Sequence, residues 1–185
     1  MANAREISTR IKSIQDTMKI TKAMYMMSSM KLRKARQKLE NTEPYFYGLQ
    51  EQIADILLHF PDMQHLFFDN RGKDLLEKTK RRAFIVITGD KGMAGAYNHN
   101  VLKEAQKLVD EADSYRLFVV GELGRHFFSS QGYKLEEGFC YSANNPSIHR
   151  ARMITERIVE LYKEEEIDEV YVVYTKMVNS MKEEV

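Results

Sequence analysis

The chain has 185 residues, 28 of them Lys or Arg and 27 Asp or Glu, a size that holds one ordinary domain with an appendage. Apolar residues make up 43% and Gly plus Pro only 12 positions, which excludes a disordered tail or a fibrous repeat, and the single Cys140 excludes a disulfide framework or a multi-cysteine metal site. No apolar run reaches membrane-spanning length and the N-terminus lacks a signal peptide's apolar core, so the expectation is a soluble protein kept in a reducing compartment.

The balanced total hides a split. Residues 1–40 carry ten Lys and Arg against three acids, a charge of +7, and leave −6 for the rest of the chain. Halves that differ this much face different partners. Only one glycine, Gly48, precedes residue 60, whereas seven of the nine follow residue 80. These patterns predict a helical arm joined to a turn-rich domain.

In the arm, Asn3 followed by Glu6 resembles a capping box and places a helix start near residue 4. From there a strict 4-3 spacing runs through Ile7, Ile11, Ile14, Met18, Thr21, Tyr25, Ser28, Leu32, Ala35 and Leu39, and continues through Thr42, Phe46, Leu49, Ile53, Ile56 and Phe60. That is the 3.5-residue period of a coiled-coil seam. Pro44 lies inside it, and the unbroken register predicts one continuous, kinked helix ending at His59-Phe60-Pro61. At 1.5 Å per residue such a helix is roughly 80 Å long. Taking Ile11 as position a puts small residues (Thr21, Ser28, Ala35) at d, where a second helix can approach closely. A parallel homodimer would set Lys31 against Arg36, so an antiparallel or heterologous partner fits better. Outside the seam, Met24, Met26, Met27 and Met30 are interleaved with Lys19, Lys22 and Lys31, which reads as an adaptable, basic contact surface.

Residues 61–81 read as a polar connector with a turn at Asn70-Arg71-Gly72. Ala83–Ile87 is a continuous apolar run, the mark of a strand covered on both faces. A tight turn follows, containing Gly89, Asp90, Lys91, Gly92 and Gly95, and then a helix with Leu102, Ala105, Leu108, Val109 and Ala112 on one side. Leu117–Val120 repeats the strand pattern and a short helix runs through Phe127 and Phe128. A weaker strand is expected near Phe139–Tyr141, a third helix from Pro146, and a last strand at Val170–Tyr174. Alternation of strand and helix predicts a parallel sheet with helices on both faces. The fold class is therefore α/β: a long N-terminal coiled-coil helix (1–60), a connector (61–81) and a small Rossmann-like domain with a mainly parallel sheet (82–185).

Chemistry is thin. The turn lacks the Gly-Lys-Ser/Thr of a phosphate loop and the second glycine of a dinucleotide fingerprint, because Met93 follows Gly92 and Lys91 stands where that glycine belongs. Its residues read as structural, with Asp90 or Asn98 bonding the local backbone. The five histidines have no metal-type spacing, Cys140 reads as a buried structural thiol, and Glu164–Glu166 with Asp168 and Glu169 reads as a solvated acidic face. No catalytic, cofactor or metal site is expected. Two other readings fit parts of the chain: a phosphate- or nucleotide-binding α/β module with a helical arm, and a nucleic-acid-binding coiled coil gripping with the +7 helix.

Three stretches of the arm, Arg10-Ile11-Lys12-Ser13-Ile14, Lys19-Ile20-Thr21-Lys22-Ala23-Met24 and Lys31-Leu32-Arg33-Lys34-Ala35, closely resemble the start of the gamma subunit of F-type ATP synthases. So does the turn Gly89-Asp90-Lys91-Gly92-Met93-Ala94-Gly95-Ala96-Tyr97-Asn98. The resemblance implies a non-catalytic central-stalk rotor, without cofactor, that couples ion-driven rotation to ATP synthesis or hydrolysis. Its implied partners are the alpha and beta subunits, the epsilon subunit and the membrane ring of c subunits, with no nucleic acid and no direct insertion into the membrane. The implied place is the cytoplasmic face of a bacterial membrane. Lys12, Lys19, Lys22, Met24, Met26, Met27, Met30, Lys31, Arg33 and Lys34 would then meet the alpha/beta head. Family members continue to a long C-terminal helix that pairs antiparallel with the first. The sequence stops at Val185, so a shortened chain is expected.

Overall fold

A computed structural model describes residues 3–63, 65–68, 80–179 and 182–185. The chain divides into two compact units, Met1–Gln64 and His65–Val185.

The first unit is essentially one helix, α1, Ala4–His59. Asn3 is its N-cap, and the side chain accepts a long hydrogen bond, 3.4 Å, from the Arg5 N–H. The helix runs without interruption through Pro44, and the last donor, Phe60 N–H, closes on Ile56 O at 2.9 Å just before Pro61. Thr9, Thr17, Thr21 and Thr42 each turn the hydroxyl back onto the carbonyl four residues earlier at 2.8–3.0 Å, which satisfies these polar groups without a partner. No residue of α1 is buried.

In the second unit a three-stranded parallel sheet has the order β2-β1-β3, with β1 at Arg81–Ile87, β2 at Ser114–Val120 and β3 at Glu169–Val173. The helices are α2 (Tyr97–Asp110), α3 (Glu122–Ser130) and α4 (Ile148–Lys163). Alternate residues of the central strand serve two cores, as a strand covered on both faces requires. Phe84 and Val86 join Val101, Leu102, Ala105 and Val109 of α2 and Phe128 of α3 on one face. Ala83, with Phe118 and Val120 of β2, joins Ile158 and Leu161 of α4 and Ile167 on the other.

Several local expectations change. The third helix begins at Ile148, because Ser147 caps it by accepting from Arg150 N–H at 3.3 Å. No strand forms at Phe139–Tyr141: Gly138 takes a positive φ of 73°, which breaks the ladder and leaves a single bridge from Tyr141 to Val120. Cys140 is exposed rather than buried. After β3 comes a short antiparallel pair absent from the sequence reading, β4 (Lys176–Met177) with β5 (Glu183–Glu184). The turn expected at residues 70–72 lies outside the described residues.

Candidate functional site: the exposed face of the N-terminal helix

The large apolar residues of the seam are exposed along its whole length, from 40% at Leu49 to 72% at Tyr25. A shallow apolar groove on this face is lined by Ile14, Met18, Thr21 and Tyr25. Ile7, Ile11, Leu32 and Leu39 continue the stripe, with Ser28 and Ala35 as its small positions, all exposed. A stripe of this extent without cover is what a docking helix presents before its partner arrives.

Around it lie the basic and methionine positions. Met24, Met26, Met27 and Met30 are all exposed, between 46% and 67%. Lys19 pairs with Asp16 at 3.0 Å, an exposed contact worth little. Among the described residues Lys12, Lys22, Lys31, Arg33 and Lys34 make no ion pair, so their charge is available to an acidic partner. The structure thus presents together, on one continuous helix, all the arm residues singled out from the sequence.

The glycine-rich turn after β1 is built differently from a phosphate site. Such a site needs free N–H groups aimed at one point. Here Gly89 N–H is taken by Asn98 Oδ1 at 2.8 Å. Asp90 accepts from the Glu122 N–H that opens α3, from the N–H groups of Ala143 and Asn144 (all 3.2 Å), and from Ser142 Oγ and Asn144 Nδ2 (both 2.6 Å). Its carboxylate occupies the role that a bound anion would play. Burial pushes the Asp90 carboxyl up, but the bonds from Ser142, Ala143, Glu122 and Asn144 outweigh it and hold the group below its ordinary value. Behind it, Thr88 Oγ1 accepts from Gly124 N–H at 3.1 Å and donates to Val120 O at 3.1 Å. A Cβ at Gly124 would stand 2.6 Å from that oxygen, so only glycine fits there. Gly92 and Lys91 are exposed, while Met93 and Gly95 take left-handed conformations at φ 60° and 58° that let the turn reverse.

The acidic run is not merely solvated. Asp168, with its side chain only 2% exposed, receives Arg81 through Nε at 2.9 Å and Nη2 at 2.6 Å, a fork that also raises the arginine's pKa. Glu169 bonds Lys80 Nζ at 2.7 Å and Arg82 Nε at 3.3 Å, and the Lys80 contact chiefly holds its carboxyl below the ordinary value. Glu166 pairs with Arg116. Sequence reasoning missed these pairs, although the signal was present: two bases open β1, two acids open β3, and parallel neighbours bring them side by side. Among the described residues no three His, Cys, Asp or Glu side chains gather as metal ligands would.

Fold and surface together define a class: a protein made of a 56-residue helix with no buried residue and, as a separate unit, a small doubly wound α/β domain. The chain belongs to the ATP synthase family, whose model matches residues 3–185. Its relatives include proteins named ATP synthase gamma chain from Ruminiclostridium cellulolyticum (45% identical over 97% of this chain and 60% of the relative) and Acetivibrio thermocellus (42% over 100% and 61%). Another, from Acetobacterium woodii, is named ATP synthase gamma chain, sodium ion specific, and is 37% identical over 97% and 57%. The chain therefore spans about three fifths of the length of these curated relatives. A solved structure of the Tetrahymena thermophila mitochondrial ATP synthase central stalk and c-ring shares the fold, with a TM-score of 0.66 at 21% identity over 89% of this chain and 68% of the other. Neither the turn's geometry nor these likenesses support phosphate binding or nucleic-acid binding by this chain.

Proposed function

We propose that this chain forms the non-catalytic central-stalk part of an F-type ATP synthase, coupling ion-driven rotation of a membrane ring to ATP synthesis or hydrolysis in an alpha/beta head. The observation that carries this reading is the exposed Met-rich, basic helix on a chain of the gamma-chain family. Lys12, Lys19, Lys22, Lys31, Arg33 and Lys34 offer charge without geometric constraint, and Met24, Met26, Met27 and Met30 offer apolar contact that adapts to changing shapes. A shaft that meets successive beta subunits in turn needs that combination. The seam from Ile7 to Leu39 packs against the second helix of the shaft, and the α/β unit meets the epsilon subunit and the c ring. On this reading the chain lies peripherally at the cytoplasmic face of a bacterial membrane. Among the described residues no helix is long and apolar enough to cross a membrane.

The test is charge reversal at Lys19, Lys22 and Lys31, each changed to Glu, in the whole ATP synthase of the same cells with its membrane ring. The expected result is loss of assembly or of coupling between ATP hydrolysis and ion movement, with the α/β unit still folded. Normal assembly and normal coupling in that variant would reduce these lysines to solvating charges and remove the proposed contact.

A further inference from the structure

We propose that Met26, Met27 and Met30 form a reversible oxidation site, where a peroxide adds one oxygen to each thioether and turns an apolar helix face polar. The site follows from the surface of α1, and its effect on coupling rests on the central-stalk reading.

Five of the eleven methionines, Met18, Met24, Met26, Met27 and Met30, fall within thirteen residues of α1. The heptad divides them into two groups. Met18 stands at a, inside the seam, and Met24 at g, beside it. Met26, Met27 and Met30 occupy b, c and f, the side turned away from the seam. Met30 lies four residues after Met26 and three after Met27, so the three side chains are neighbours on one face. They are 58%, 53% and 67% exposed. A helix that covers the seam leaves this exposure intact, because the two faces point in opposite directions.

Cations keep the face in water. Lys22 stands one turn before Met26, Lys31 one turn after Met27 and Lys34 one turn after Met30, none of them in an ion pair among the described residues. An ammonium does not follow a thioether into an apolar core, so the sulfurs stay within reach of a small water-borne oxidant. Met93 is more open still at 95%, but it stands alone on its turn, and its oxidation alters one side chain rather than a face.

The step balances. A lone pair of the methionine Sδ attacks one oxygen of hydrogen peroxide, and the S–O bond forms as the O–O bond breaks. The departing hydroxide takes the proton from the transferred oxygen and leaves as water. Sulfur is oxidised by two electrons and the peroxide is reduced by two. A thiol-dependent sulfoxide reductase reverses the change, two thiols becoming a disulfide while the oxygen leaves as water. The thioether is apolar, polarisable and flexible, which is what an adaptable contact needs. The sulfoxide is polar, so three of them replace that contact by a face that holds water.

The experiment treats the whole ATP synthase of the same cells, with its membrane ring, with dilute hydrogen peroxide, and maps this chain's peptides by mass spectrometry. Met26, Met27 and Met30 should each gain one oxygen, while Met18 and Met24 should stay reduced. Ion movement per ATP hydrolysed should fall several-fold and return when a thiol-dependent sulfoxide reductase is added. A chain carrying Met26→Leu, Met27→Leu and Met30→Leu keeps apolar volume at each position. Compared with its own untreated sample, that variant should lose no coupling under the same treatment. Met26, Met27 and Met30 remaining reduced in the treated complex would overturn the proposal. So would an equal loss of coupling in wild type and the leucine variant. Oxidation of Met18 and Met24 to the same extent would mean that the seam is uncovered and the central-stalk reading fails. Oxidised Met26, Met27 and Met30 in that same sample would still establish the site.

Discussion

A carboxylate that accepts five hydrogen bonds acts as a fixed internal anion, and Asp90 does so between β1, the start of α3 and the loop 142–144. Exchanging it for Asn keeps the size but removes the charge and puts a donor where only acceptors fit. Asp90→Asn should therefore weaken local stability by about 2 kcal/mol, the scale of charge-assisted bonds left partly unmade. The pH dependence has a definite sign. The folded carboxyl titrates below its unfolded value of 3.8, so its stabilisation is fully present above that value and is lost as pH falls through the lower folded pKa. Native-state hydrogen exchange at the α3 amides should show wild type and Asp90→Asn converging as the solution is acidified. A gap that stays constant down to strongly acid pH would mean that the carboxylate's charge contributes nothing there.

The same logic scales up to strand pairing. β3 is one of the two edge strands and, among the described residues, pairs in the sheet with β1 alone. Asp168 closes that junction in three ways: its carboxylate accepts from the Arg81 side chain and, at 2.9 Å, from the Arg81 N–H, and its own N–H donates to Arg81 O at 2.8 Å. Removing the nearly buried carboxylate unmakes a charge-assisted fork, and because the Arg81 side chain is 43% exposed and water takes over part of its charge, the cost is about 2 kcal/mol. Asp168→Ala should therefore speed exchange of the β3 amides at Ala83's neighbour Val170 and at Val172 more than those of β2, which lies on the other side of β1. Uniform acceleration across the sheet would refute a local role. These elements also mark what the sequence reveals. The apolar runs at 83–87 and 117–120 named their strands because both faces are buried and no alternation obscures them. The arm was legible as a helix because its period persists through Pro44. The Arg81–Asp168 and Asp90–Asn144 contacts span 87 and 54 positions, and such partners emerge only once the strand order is known. The β4–β5 pair has two residues per strand, too short to show a period. Cys140 misled because its type favours burial, whereas its place beside Gly138 in a surface turn decides its exposure.

At the scale of the whole molecule, the two units draw their stability from different sources. Residues 65–185 enclose two apolar cores on either side of a sheet, and these hold the unit together whatever the protein concentration. No residue of α1 is buried, so tertiary packing adds nothing to its local helix propensity, and Pro44 inside it costs about 3 kcal/mol. A partner that binds the exposed seam adds to the stability of α1 by mass action. Thermal unfolding of the intact chain, followed by circular dichroism at the helical band, should show two transitions. The earlier one is α1, the helix with no buried residue, and the later one is the α/β unit with its two cores. A single transition would mean that the two units unfold as one cooperative body. In that case the exposed seam would not be the feature that governs how this polypeptide assembles.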